Sequence, residues 1–181
     1  MFHESIGTSL IAENSAWRTY ISDLRKVVLS PFGLDSTEGV NGVESLGLRG
    51  WKIDYEGIDI RLEAVGRHNL MDAMAAITLA RGFGADRQTV KEGLERFRTS
   101  GGRSRIIEGD ATIIEDCYNA SMDSTGNILD YMDTLPWKGT KKVVLGYMKE
   151  LGAVSVAAHE AVGRKVLGVR PASAYFFVFI K

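Results

Sequence analysis

The sequence predicts an α/β fold, and two observations carry that prediction. Beyond residue 100, short apolar runs alternate with amphipathic stretches: 104–108, 111–116, 141–146 and 174–180 read as strands, and 123–134 and 153–167 as helices. Strands alternating with helices build doubly wound parallel sheets. Upstream, Trp51, Ile53 and Tyr55 alternate before Glu56-Gly57, and Ile58, Ile60 and Leu62 alternate after it. That is the pattern of a β-hairpin.

The elements follow in order. Residues 14–25 suit a short helix and 26–29 a strand. Residues 30–42 carry Pro31, Gly33, Gly39, Asn41 and Gly42 and read as loop. From 43 to 65 the pattern favours strands. Residues 70–83 form a helix rich in Ala and Met, stopped by Gly84. Residues 86–97 form an amphipathic helix with Val90, Leu94 and Phe97 on one face. Small residues cluster at Thr99-Ser100-Gly101-Gly102, which predicts a boundary between units 1–100 and 101–181. The apolar end from Tyr175 to Ile180 is far shorter than the roughly 20 residues that span a bilayer. It reads as a buried parallel strand. A doubly wound domain continues through further helix–strand units, so the second unit is expected to be incomplete.

Composition narrows the function. The chain has 181 residues, 45% hydrophobic and 25% charged, with a formal net charge of −1. With no Lys/Arg run, it is not expected to bind nucleic acid or an anionic membrane generally, although one local phosphate site is compatible. The single Cys117 excludes an internal disulfide framework and fits a reducing compartment. Its expected role is a small residue near a strand end. The start, Met1-Phe2-His3-Glu4, shows no secretory signal. These features predict a cytoplasmic protein without membrane insertion.

The most informative stretch is 115–124, Glu-Asp-Cys-Tyr-Asn-Ala-Ser-Met-Asp-Ser. It follows the apolar Thr112-Ile113-Ile114 and precedes a helical pattern. Asp116 is therefore expected at the C-terminal tip of a strand, and Tyr118 to Ser121 in the turn entering a helix. In open α/β sheets that crevice is where ligands bind. A carboxylate there can accept hydrogen bonds from ribose hydroxyls, and Ser121 or Asp123 can cap the helix. Local chemistry alone equally allows an ordinary strand–turn–helix corner.

Asp116-x-Tyr118-Asn119-Ala120-Ser121-x-Asp123-Ser124 resembles the signature of the Mur ligases, in the branch that adds D-alanyl-D-alanine during peptidoglycan synthesis. Three further stretches fit in the same order. Gly66-Arg67-His68-Asn69 opens a helix, and Gly102-Arg103 follows the next one. Gly146-Tyr147-Met148-Lys149-Glu150-Leu151-Gly152 resembles that family's Gly-Asp-Met-x-Glu-Leu-Gly, with His159 and Gly163 at fitting distances. The similarity runs from roughly 66 to 168, and four motifs in order are strong evidence. It implies the second half of a Mur ligase central domain, within 1–100, followed by the start of a doubly wound, Rossmann-like C-terminal domain, within 101–181.

The resemblance also implies an ATP-dependent amide ligase using Mg2+. Such an enzyme activates the carboxylate of UDP-N-acetylmuramoyl-tripeptide as an acyl phosphate, which the amine of D-Ala-D-Ala attacks. By the same resemblance Asn69 contacts adenine, with His68 beside it. Arg103 touches the nucleotide at the hinge, Asp116 holds the ribose, and Tyr118 and Asn119 shape that crevice. From its chemistry alone Asn69 suits a helix cap better than an adenine edge, and Arg103 and Arg105 both suit a phosphate. Lys149, Glu150 and His159 could line the dipeptide side, or be helix-start and helix-face residues. No catalytic residue is assigned. Three positions depart from the family: Asp72 replaces a second Asn, Met122 a Pro, and Tyr147 an acid. The sequence contains no Gly-x-x-Gly-Lys-Thr phosphate loop, so magnesium ligands are expected mostly outside this chain. Two other readings are a different amide ligase of the superfamily, such as a folate polyglutamate synthase, and a non-catalytic nucleotide-binding remnant.

Overall fold

The computed structural model describes residues 7–15 and 27–177. The expected helix at 14–25 falls almost wholly outside them. The chain divides into two compact units: 1–46, 50–63 and 68–97 in the first, and 47–49, 64–67 and 98–181 in the second.

In the first unit, strands β1 (Gly7–Ala12) and β2 (Val27–Phe32) pair in parallel. β1 was not expected, and β2 runs into the stretch expected to be loop. Pro31 is accommodated there because β2 is paired along one edge only among the described residues, so its missing N–H costs no second ladder bond. β3 (Val40–Ser45) also begins inside the expected loop. A register irregularity between Val40 and Gly42 absorbs Asn41, whose side chain donates to Asp54 Oδ1 at 3.2 Å.

The predicted hairpin is β4 (Trp51–Tyr55) and β5 (Ile58–Leu62), which pair antiparallel with β4 between β3 and β5. Its two turn residues, Glu56 and Gly57, have φ of 48° and 78°, the handedness that matches strand twist in a two-residue turn. The alternation places Ile53, Tyr55, Ile60 and Leu62 at no more than 1% exposure.

Helix α1 (Arg67–Gly82) buries Leu70, Ala73, Met74 and Ile77, spaced to share one face. Gly84 follows at φ 80° and ends it. Helix α2 (Arg87–Arg96) starts at Asp86, whose carboxylate accepts the Thr89 N–H at 2.7 Å. α2 packs on β5 through Val90 and Leu94, while Phe97, expected on that face, caps the helix and is exposed. α2 also covers the β5 edge: Lys91 donates to the Asp59 carbonyl, and Glu95 accepts the Arg61 N–H at 3.2 Å. Groups that would template another strand are thereby occupied.

In the second unit, β6 (Arg105–Ile107) and β7 (Ile113–Glu115) pair antiparallel rather than in the expected parallel order. The connection between Ile107 and Ile113 is too short for a crossover, so only a hairpin can form. Helix α3 (Met122–Thr134), strand β8 (Lys142–Gly146), helix α4 (Ser155–Val169) and strand β9 (Ser173–Phe177) follow. β8 and β9 are parallel and joined through α4, as the alternation predicts.

Leu129 of α3, Val143 of β8, Met148, and Ala158, Val162, Val166 and Val169 of α4 form one core, with Leu145 and Ala174 against it. Val144, Tyr175, Phe176 and Phe177 are exposed; alternation sets Val144 and Tyr175, cross-strand neighbours, on the face away from the core that Val143, Leu145 and Ala174 join. The expectation of a buried last strand is therefore corrected for 175–177, while 178–180 lie outside the described residues. No helix among the described residues is long and apolar enough to cross a membrane.

Candidate functional site

The site residues are built by two short loops of the second unit that grip each other. β7 ends at Glu115, so Asp116 stands at the strand tip as expected. The Asp116 carboxylate accepts the Ser104 N–H through Oδ1 at 3.0 Å. The Gly102 carbonyl accepts two N–H groups, from Cys117 at 2.8 Å and Tyr118 at 2.9 Å. Glu115 accepts from the Gly102 N–H at 3.3 Å and from Arg105 Nε at 2.9 Å. Arg105 and Glu115 also face each other in the β6–β7 register.

Gly102 is required here twice over. Its φ is 77°, and a Cβ would lie 3.3 Å from the Tyr118 nitrogen. The two arginines that follow, Arg103 and Arg105, diverge. Arg105 is spent on Glu115, while the Arg103 guanidinium lies 4.0 Å from the Tyr118 ring centroid. Such an exposed cation–π contact contributes about 0.5–1 kcal/mol. A phosphate can displace it at little cost. Of the two arginines, Arg103 is the one left for an anion.

The turn then enters α3. Ser121 is its N-cap, and Ser124 completes a reciprocal capping box, with Ser124 N donating to Ser121 Oγ at 3.1 Å and Ser121 N to Ser124 Oγ at 3.0 Å. Asp123 lies in the first turn, where a negative charge suits the helix dipole. Met122 takes the first helical position, the one where proline is favoured. Tyr118 and Asn119 are exposed on this turn, and so is Cys117. Arg103, Asp116 and Tyr118 are thus brought together, with Asn119 adjacent in the chain.

His68 and Asn69 belong to the first unit. α1 begins at Arg67, so Asn69 sits inside its first turn and is not the residue before the helix. At that third helical position a side chain can still reach back to the N–H of the residue before the helix, so its capping role stands beside the adenine one. The Asn69 amide nitrogen lies 3.1 Å from His68 Nε2, and both side chains are half-buried. Asp72, one turn further, is exposed.

His159 has a structural position. Its Nε2 accepts the Met148 N–H at 3.1 Å, which places the proton on Nδ1, 2.7 Å from the Ser155 carbonyl. The Tyr147 ring stacks on it with centroids 4.6 Å apart, and its hydroxyl lies 3.1 Å from Ser155 Oγ. Tyr147 is thus fitted to the α4 start rather than left vacant. Lys149 and Glu150 are exposed, with Glu150 at φ 62°. Ser104, Glu115 and Ser155 are the supporting residues that motif reading misses. Only the Arg105–Glu115 pair was accessible in principle, through a hairpin register.

Among the described residues no group of three or more His, Cys, Asp or Glu is placed to hold a metal ion.

No family model matches the chain. It is 34% identical over 150 residues to the UDP-N-acetylmuramoyl-tripeptide–D-alanyl-D-alanine ligase of Treponema pallidum, an alignment covering 81% of this chain and 32% of that protein. Its fold matches a crystal structure of MurF from Acinetobacter baumannii with a TM-score of 0.82 at 23% identity, over 94% of this chain and 38% of that one. It also matches MurF from Thermotoga maritima in complex with ADP, with a TM-score of 0.75 at 21% identity, over 94% and 40%. The chain spans about a third of the length of the curated relative it matches over most of its own. Four ordered motifs, the strand-tip geometry and these similarities together establish that the chain belongs to the Mur ligase family, as a MurF-like partial chain.

Proposed function

We propose that this chain forms part of an ATP-dependent carboxylate–amine ligase that joins D-Ala-D-Ala to UDP-N-acetylmuramoyl-tripeptide in cytoplasmic peptidoglycan precursor synthesis. Residues 1–100 contribute to the central ATP-binding domain and 101–181 to the C-terminal ligase domain. The observation that carries this reading is Asp116: Oδ1 is committed to the Ser104 N–H, leaving the other carboxylate oxygen for a ribose hydroxyl. Arg103 beside it supplies a guanidinium for phosphate, Tyr118 and Asn119 shape the crevice, and His68 and Asn69 serve the adenine. Support also comes from the similar MurF that holds ADP. In the reaction a phosphoryl group passes from ATP to the substrate carboxylate, and the dipeptide amine then displaces phosphate to form the amide.

The chain carries neither a glycine-rich phosphate loop nor, among the described residues, a magnesium ligand set. By itself it binds nucleotide without turnover. Calorimetric titration of ADP tests this, with circular dichroism to confirm folding. The expected result is saturable binding that Asp116→Ala weakens by at least about tenfold, or about 1.4 kcal/mol. A folded chain that binds no ADP overturns the nucleotide reading, and ATP turnover by the pure chain overturns the non-catalytic one. Tyr147 favours a second reading, a nucleotide-binding unit that has lost catalysis. It stands where the family has an acid, and its stack on His159 gives it a packing role.

A further inference from the structure

The second unit carries a cleft at the opposite end of β8 from the Gly146–Gly152 loop. It has a volume of about 500 Å3, and Trp137, Lys138, Lys141 and Arg170 line it. Its charge is one-sided: three cations line it and no carboxylate does. An open cleft in the first unit makes the contrast. There Lys52, Arg61 and Lys91 are matched by Asp59, Glu63 and Glu95, and Lys52 and Lys91 are held in ion pairs. In a chain of 22 basic and 23 acidic residues, three cations without an acid is a local excess.

Trp137, Lys141 and the Arg170 backbone have defined places, while the Lys138 side chain is exposed. The indole of Trp137 lies against Gly139, where a Cβ would meet Nε1 at 2.8 Å. Lys141 donates to the Met132 carbonyl at 2.7 Å and keeps two further N–H donors. Arg170 is the residue closing α4, in left-handed conformation with φ 50° and ψ 53°, a place where glycine is usual. Among the described residues neither Lys138 nor Arg170 has an ion-pair partner. The C-terminus of α4 brings about half a negative charge to this end. One cation offsets it, and two remain.

We propose that this cleft binds a small anion carried on a flat ring, of the nucleoside monophosphate class. The phosphate meets Lys138, Lys141 and Arg170, and the ring stacks on Trp137. The inference does not rest on the ligase reading, because the cleft shares no residue with the Asp116 turn.

The test is nuclear magnetic resonance of the 15N-labelled chain titrated with AMP. The three tryptophans give three indole N–H signals, and Trp137→Phe identifies one of them. The expected result is saturable movement of the Trp137 signal at millimolar AMP. The midpoint should rise by at least about tenfold in Lys138→Ala/Arg170→Gly. Glycine at 170 suits the backbone and keeps the fold. Asp116→Ala should leave the midpoint unchanged, and adenosine should not saturate the signal. The proposal is overturned by an unmoved signal, by an equal midpoint in the double variant, by equal binding of adenosine, or by loss of the movement in Asp116→Ala.

Discussion

The Asp116 carboxylate accepts the Ser104 N–H at 3.0 Å while Ser104 holds a left-handed φ of 47°. One oxygen of the residue expected to meet ribose is therefore structural. Asp116→Asn keeps an acceptor for Ser104 but loses the negative charge, whereas Asp116→Ala loses both. The alanine variant should be less stable than the asparagine variant by about 1 kcal/mol, while both bind ADP poorly. Paired urea melts and ADP titrations check this. Equal stabilities would show that the Ser104 bond contributes nothing.

Tyr131 donates its hydroxyl to the Gly47 carbonyl at 2.6 Å. Tyr131→Phe should lower stability by about 1 kcal/mol. Burial pushes the phenol up to about 12, from an ordinary value of 10. Between those values the folded chain holds a proton that the unfolded chain has released. The contribution is therefore full below about pH 10 and lost as pH rises towards 12. Urea midpoints at pH 9 and 11 should converge between wild type and Tyr131→Phe at the higher value; a constant gap would contradict it.

Ser121 is the N-cap of α3 in a box with Ser124. Ser121→Ala should cost about 1 kcal/mol, and Ser121→Thr much less. The turn above it bears Tyr118 and Asn119, so the alanine variant should also loosen ADP binding. Stability loss with unchanged ADP affinity would separate the cap from the crevice.

His159 joins Met148 to the first turn of α4 through both ring nitrogens. Its replacement by alanine strands the Met148 N–H beside the core and removes the stack on Tyr147. A loss of about 1–3 kcal/mol is expected, with faster hydrogen exchange at the Met148 amide. Unchanged exchange there would mean that the ring does not hold this loop.

Legibility in the sequence followed the range of the physics. The β4–β5 hairpin was readable because alternation and a Glu-Gly turn lie within twelve residues. The α3 start was readable because Ser121 and Asp116 flank one corner. β1 was not, since Gly-Thr-Ser-Leu-Ile-Ala has no period and its parallel partner lies twenty residues on. Pro31 looked like a loop residue because its tolerance depends on which strand edge is paired. Exposure of Tyr175 and Phe177 depends on which strand face the described helices cover, which composition does not encode. Within the candidate site, the tip position of Asp116 was legible, but its bond to Ser104 was not. A left-handed serine leaves no pattern.

The bonds that seat Asp116 join residues 10 to 13 positions apart. Closing so short a loop costs little entropy, and hairpins of this kind form in about 1–10 μs. The parallel pairing of β8 with β9 must instead wait for the whole of α4 to be made. During synthesis, once Tyr118 has been added, every partner of the Asp116 turn is already in the growing chain, so this corner can order while the core-forming helices are still unwritten.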